Sequence, residues 1–302
     1  TNAKITSTAE NVAGLVAVGQ KAVNKGELSL TGEQSTGIYT DGATAENENK
    51  IILGTKGIGI YNKNAVINNR SGEIQVGDSG VGLFGTDSTG IINNAVIGST
   101  ENSVIGIYSE GDITGTSVNN SITGTINLAG NNVIGILAAG TSVKNITNGG
   151  TINIGNSSDI SNPNVGIYSN TAGNNITNNN AITVGENSLA IFSNKGNVTE
   201  NGIFTIGNSG TGIYAAGGNV NISGSSIINL GDNEAAAVYA TDSAVVKNES
   251  SDITIGNKSF GFVLKSGSGL ENKGSVTLGD NTVFVYGDGA GSIKSAGTAA
   301  IN

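Results

Sequence analysis

A three-residue phrase recurs along this chain at a nearly fixed interval, and it limits the possible folds more than any other feature. It reads Gly37-Ile38-Tyr39, Gly59-Ile60-Tyr61, Gly82-Leu83-Phe84, Gly106-Ile107-Tyr108, Gly166-Ile167-Tyr168 and Gly212-Ile213-Tyr214. Degenerate copies stand at Gly14-Leu15-Val16, Gly135-Ile136-Leu137, Ala190-Ile191-Phe192, Ala237-Val238-Tyr239, Gly261-Phe262-Val263 and Phe284-Val285-Tyr286. The central residues fall 22 to 25 residues apart, except for two steps of 29 and 31. A period in the low twenties specifies stacked repeats, a solenoid, instead of a globular domain.

A second phrase follows each copy. Gly72-Glu73-Ile74-Gln75-Val76-Gly77, Gly150-Thr151-Ile152-Asn153-Ile154-Gly155 and Gly274-Ser275-Val276-Thr277-Leu278-Gly279 show two apolar residues separated by a polar one. That alternation is a strand with one buried face. It recurs as Leu28/Leu30, Ile51/Leu53, Ala95/Ile97, Ile126/Leu128, Ile182/Val184, Phe204/Ile206, Ile228/Leu230 and Ile253/Ile255. A weaker strand lies between the two phrases, at Val66-Ile67, Ile91-Ile92, Val143, Ile176, Val198, Val220, Val245-Val246 and Leu270. Asn-rich segments follow it, such as Asn68-Asn69 and Asn93-Asn94, and read as corners that need φ > 0.

Three short strands and three turns per repeat predict an all-β fold, a right-handed parallel β-helix of about twelve coils of roughly 23 residues. At about 4.8 Å per coil this is a rod of roughly 55–60 Å. Strict alternation in the first strand places Ile58, Val81, Ile105, Ile134 and Val165 inside with the central Ile, and Gly and Tyr outside. Tyr39, Tyr61, Phe84, Tyr108, Tyr168, Phe192, Tyr214, Tyr239 and Tyr286 then form an external aromatic ladder beside a Gly stripe. Such a stripe serves either to stiffen the scaffold by mutual stacking or to bind a ligand.

Composition excludes several chemistries. With no Cys and no His there is no disulfide, no Ser-His-Asp or Cys-His site, and no His or Cys zinc site. The net charge of −9 argues against nucleic acid as a partner. No apolar run reaches transmembrane length. Neither end carries a recognisable cap, so residues 1–302 are expected to be a single β-helix segment of a longer protein. Charge is uneven. Between Ser71 and Asn194 the only base is Lys144, against Glu73, Asp78, Asp87, Glu101, Glu110, Asp112, Asp159 and Glu186.

The pairing of G-x-I-x-I-G with G-I-Y resembles the passenger repeats of the very large fusobacterial type V autotransporter adhesins. The likeness runs from Gly14-Leu15-Val16 to Phe284-Val285-Tyr286. It implies an exported passenger on the bacterial cell surface, anchored through an outer-membrane barrel absent from this stretch. It also implies adhesion to a host glycan, a host receptor or another bacterium, by a monomer without cofactor. The shared motifs are scaffold motifs, so no family binding residue transfers to this sequence.

Irregular coils are where function is expected on a repeat scaffold. Most coils run five residues from the Gly closing one phrase to the Gly opening the next, as from Gly77 to Gly82. Gly98 to Gly106 and Gly155 to Gly166 are longer, and the second holds the only proline, Pro163. The insertions fall near residues 99–105, 109–117 and 156–165. The first and third occupy one corner two coils apart, which places them within about 10 Å along the axis. Glu101, Asn102, Glu110, Asp112, Asp159, Asn162 and Asn164 are the candidate ligand contacts, through carboxylate and amide hydrogen bonds. A stalk that only spaces a distal site is the alternative. A polysaccharide-active enzyme using Glu101, Glu110 and Asp112, or Ca²⁺ binding by the same carboxylates, is a further reading, but no catalytic or metal residue is assigned.

Overall fold

In the computed structural model, which describes residues 3–296 and the backbone of 299–301, every regular element is a short strand. Three parallel sheets form a β-solenoid, with every third strand in the same sheet: two of 12 strands and one of 13 among the described residues. One coil shows the plan. An aromatic strand, Ile58–Lys63, carries the Gly-Ile-Tyr phrase. An asparagine strand, Val66–Asn69, follows, and then an alternating strand, Glu73–Gln75. The chain divides into two compact units, residues 1–153 and 154–302.

Register repeats coil by coil within each unit. In the first, Ile60 pairs with Leu83 and Leu83 with Ile107. Ile67 pairs with Ile91, and Ile51 with Ile74. In the second, Val198 pairs with Val220 and Phe204 with Ile228. All of these residues are buried, so each coil covers the apolar row of the one before. The predicted alternating pairs are buried throughout, apart from the half-exposed Ala95. In one coil the middle strand is Lys144–Asn148, with Ile146 as its buried apolar residue in place of the expected Val143.

The aromatic strand departs from strict alternation. Ile58 and Tyr61 are half-exposed, while Gly59, Ile60 and Asn62 are buried. Gly59 and Ile60 therefore both turn inward. The same pattern recurs in Val81–Thr86 and Ile105–Glu110. A Cβ on Gly59 would stand 2.4 Å from the Gly82 carbonyl oxygen and 2.8 Å from Ile74 Cγ2, so only hydrogen fits. The glycine stripe is therefore internal, and Ile58, Val81, Ile105 and Ile134 are half-exposed, whereas Val165 is buried. The expected aromatic phase holds because the break in alternation lies before the central Ile.

The Asn-rich segments after the weaker strand, such as Asn68-Asn69 and Asn93-Asn94, do not supply the left-handed corners. Positive φ occurs at Gln34, Lys56, Ser79, Ser103 and Asn132, between alternating and aromatic strands, and at Gly42, Asn64, Asp87 and Gly111, after aromatic strands. Asn24, Asn47, Asn69, Asn93, Asn120 and Asn148 instead end the asparagine strands with their amides fully buried. The Nδ2 of each of the first five donates to the Oδ1 of the next asparagine in the series, over 2.9, 3.0, 2.8, 2.8 and 2.8 Å. These amides supply both donor and acceptor, so an unbroken column satisfies groups that would be costly to bury singly.

Candidate functional site

The outward aromatic residues form stacked ladders. In the first unit, Tyr61, Phe84 and Tyr108 stack at 4.9 and 4.7 Å with interplanar angles of 10° and 3°, and Tyr39 meets Tyr61 edge-on at 5.4 Å. In the second, Tyr168, Phe192, Tyr214 and Tyr239 stack at 4.6, 5.5 and 4.9 Å. Ring faces are covered by neighbouring rings, leaving edges and hydroxyls outward. A ladder so arranged stiffens its sheet, and only its end rings offer a face to a ligand.

The acidic coil of the first unit separates the residues that the sequence grouped. Glu101 and Asn102 precede the strand Ile105–Glu110, whereas Glu110 and Asp112 lie at its far end. Glu101 is exposed. Asn102 Oδ1 accepts the Asn131 N–H at 2.9 Å, a coil-to-coil bond. At the other end, Tyr108 donates its hydroxyl to Glu110 Oε2. Burial, and then this bond, push the Tyr108 phenol up to about 12. Asp112 N–H donates to Asp87 Oδ1 at 2.7 Å, and Asp112 Oδ1 accepts the Thr141 hydroxyl.

Lys144 completes this corner. Its side chain is buried, and Nζ donates to the carbonyls of Gly111 at 3.1 Å and Ser142 at 3.3 Å. Burial lowers the ammonium pKa, while the charges of Asp112, Asp87 and Glu110 act in the opposite direction. The acidic corner thus compensates a buried cation that pins the enlarged loop to the following coil. Lys144 and Asp87 were not among the candidate site residues. The signal was present, since Lys144 is the single base in a long acidic stretch.

The loop in the second unit is held from within. Ser157 Oγ donates to the Asp159 carbonyl at 3.0 Å, and Asp159 Oδ1 accepts the Ser161 N–H at 2.8 Å. The Asn162 N–H closes a turn on the Asp159 carbonyl at 3.2 Å. Asn164 is fully buried, with Nδ2 donating to Gly155 and Asn156 carbonyls at 3.1 and 3.0 Å, so it ties the base of the loop and does not reach the surface. Asp159 and Asn162 are exposed, and Ile160 at the tip is 71% exposed. A second exposed apolar tip, Ile122 at 82%, sits in the first unit on the turn closed by the Gly124 N–H to Ser121 O bond. Its signal was the longer spacing from Asn120 to Ile126 than from Asn93 to Ile97.

A groove of about 320 Å³ lies in the second unit, lined by residues including Asn233, Glu234, Lys258, Phe260 and Val283, none of them a predicted contact. No group of three or more carboxylates suited to a metal ion occurs among the described residues. No helix among them is long and apolar enough to cross a membrane. No protein-family profile, curated protein or solved structure matches this chain.

Proposed function

We propose that this chain is a segment of a surface-exposed bacterial adhesin, the passenger of an autotransporter. Its loops make contact with a host glycan, a host receptor or a partner bacterium. The observation that carries this reading is the Ile160 loop. Its polar groups are tied to one another, yet it holds a large aliphatic side chain in solvent. An isoleucine fixed at a loop tip presents apolar area to a partner at little cost in conformational entropy. The repeat resemblance supports the same reading.

A stalk that spaces a distal site is the second reading, favoured by the aromatic and asparagine ladders, which stiffen coils while covering every ring face except those at the ladder ends. Binding of the purified chain to a panel of glycans, host receptors and bacterial cells separates the two. Saturable binding to one member is expected of an adhesin. A folded chain that binds none of them is a stalk.

A further inference from the structure

The buried asparagine column of the second unit contains one acid. Glu200 occupies the ladder position one coil after Asn178, and Ile222 takes that position in the coil after it. Glu200 is fully buried. Asn178 Nδ2 donates to both its carboxyl oxygens at 3.0 Å, and the Gly202 N–H donates to Oε1 at 2.8 Å. The second of these copies the bond that Asn248 Oδ1 takes from the Ser250 N–H at 3.1 Å. Glu200 therefore fills the acceptor half of an asparagine's role.

The donor half explains why an acid is found here. An asparagine offers two N–H bonds, one of which goes to the next amide of the column. Ile222 offers no acceptor, so an asparagine at 200 would aim a buried N–H at a hydrocarbon. A carboxyl carries no N–H to aim at Ile222, so it ends the column without that orphan. An ionised carboxylate in the same place is a buried charge with no cation to meet it. The neighbouring strands of its own sheet are Asn175–Asn178 and Asn219–Ile222, and neither carries a charged residue. The strands Ala181–Val184, Ile203–Ile206 and Ile227–Leu230 of the alternating sheet carry none either. In the aromatic strands Leu189–Asn194 and Thr211–Ala216 the one titratable group is the outward Tyr214.

We infer that Glu200 is a proton-operated latch: its neutral form closes the coils around residues 197–223, and its ionised form loosens them. Burial raises its pKa from 4.5 to about 8, against the opposing hydrogen bonds from Asn178, Gly202 and Ser226. Folded chains then bind this proton more tightly than unfolded ones. The resulting stability is complete below about pH 4.5 and is lost as pH rises through about 8. No His or Cys titrates in this window, because the chain has neither. Lys144 in the first unit is lowered, so its contribution has the opposite sign and rises with pH.

The test is denaturant unfolding of the whole chain from pH 5 to 9, with hydrogen exchange resolved by segment. For the native sequence, the opening equilibrium of residues 197–223 is expected to rise up to about tenfold per pH unit, after correction for intrinsic exchange. Glu200→Gln is expected to flatten that dependence. Should Glu200→Gln fail to fold, infrared difference spectra of the native chain decide the matter. A protonated carboxyl band present at pH 6 and titrating away towards pH 9 supports the latch, and its absence at pH 6 overturns it. An equal pH slope in the native and Glu200→Gln chains also overturns it.

Discussion

Replacing Asn93 by alanine tests the weight carried by the internal amide column. Asn93 Nδ2 donates to Asn120 Oδ1 at 2.8 Å and to the Ala95 carbonyl at 3.0 Å, and its Oδ1 accepts from Asn69 Nδ2 at 2.8 Å. Alanine leaves the Asn69 amide and the Asn120 carbonyl facing a dry cavity. Each orphaned buried group costs roughly 1–3 kcal/mol, so the expected loss is about 2–6 kcal/mol. Asn127→Ala is the control. Asn127 Oδ1 accepts from Asn153 Nδ2 at 2.7 Å in the same unit, but on the exposed face. Water replaces that bond, and the expected change is within about 0.5 kcal/mol. Urea unfolding followed by circular dichroism measures both, with hydrogen exchange of the flanking coils as the local readout. Equal losses for the two variants would refute the argument that burial, and not amide stacking as such, gives the column its weight.

Three further outcomes follow from the same structure. Gly256→Ala places a Cβ 2.3 Å from the Gly231 carbonyl oxygen, so a thermal scan should show a loss of about 1–3 kcal/mol. In a timed acetylation read by mass spectrometry, Lys144 should be the slowest lysine to react, because its Nζ is buried against the Gly111 and Ser142 carbonyls. A rate equal to that of the exposed Lys4 would refute this. In an ultraviolet titration, the phenol of Tyr108 should resist ionisation until about pH 12, and Glu110→Gln should bring that titration down. No change in the Glu110→Gln curve would show that the bond to Glu110 contributes nothing.

The solenoid was legible in the sequence because its apolar rows repeat at a fixed period, and a repeated error in burial would expose every coil at once. Two features escaped this reading for physical reasons. The inward turn of Gly59 breaks a two-residue alternation that sequence pattern assumes to be unbroken. The asparagines belong to a column of side chains one coil apart, and adjacent Asn residues such as Asn93-Asn94 look like a corner when read along the chain. The candidate site was legible only as irregular coils. Their position was clear from spacing. Which groups are occupied was not, because partners such as Gly111 and Lys144 come together only when successive coils stack.

The claim that the irregular loops make the contacts is tested most directly by shortening them. Residues 99–105 and 156–165 would each be replaced by the four residues that join Gly77 to Gly82, Asp78-Ser79-Gly80-Val81, and adhesion to host and bacterial cells compared with that of the unaltered chain. The account predicts an intact circular dichroism spectrum and unfolding midpoint, with adhesion lost. A well-folded double replacement that adheres as strongly as the unaltered chain would contradict it.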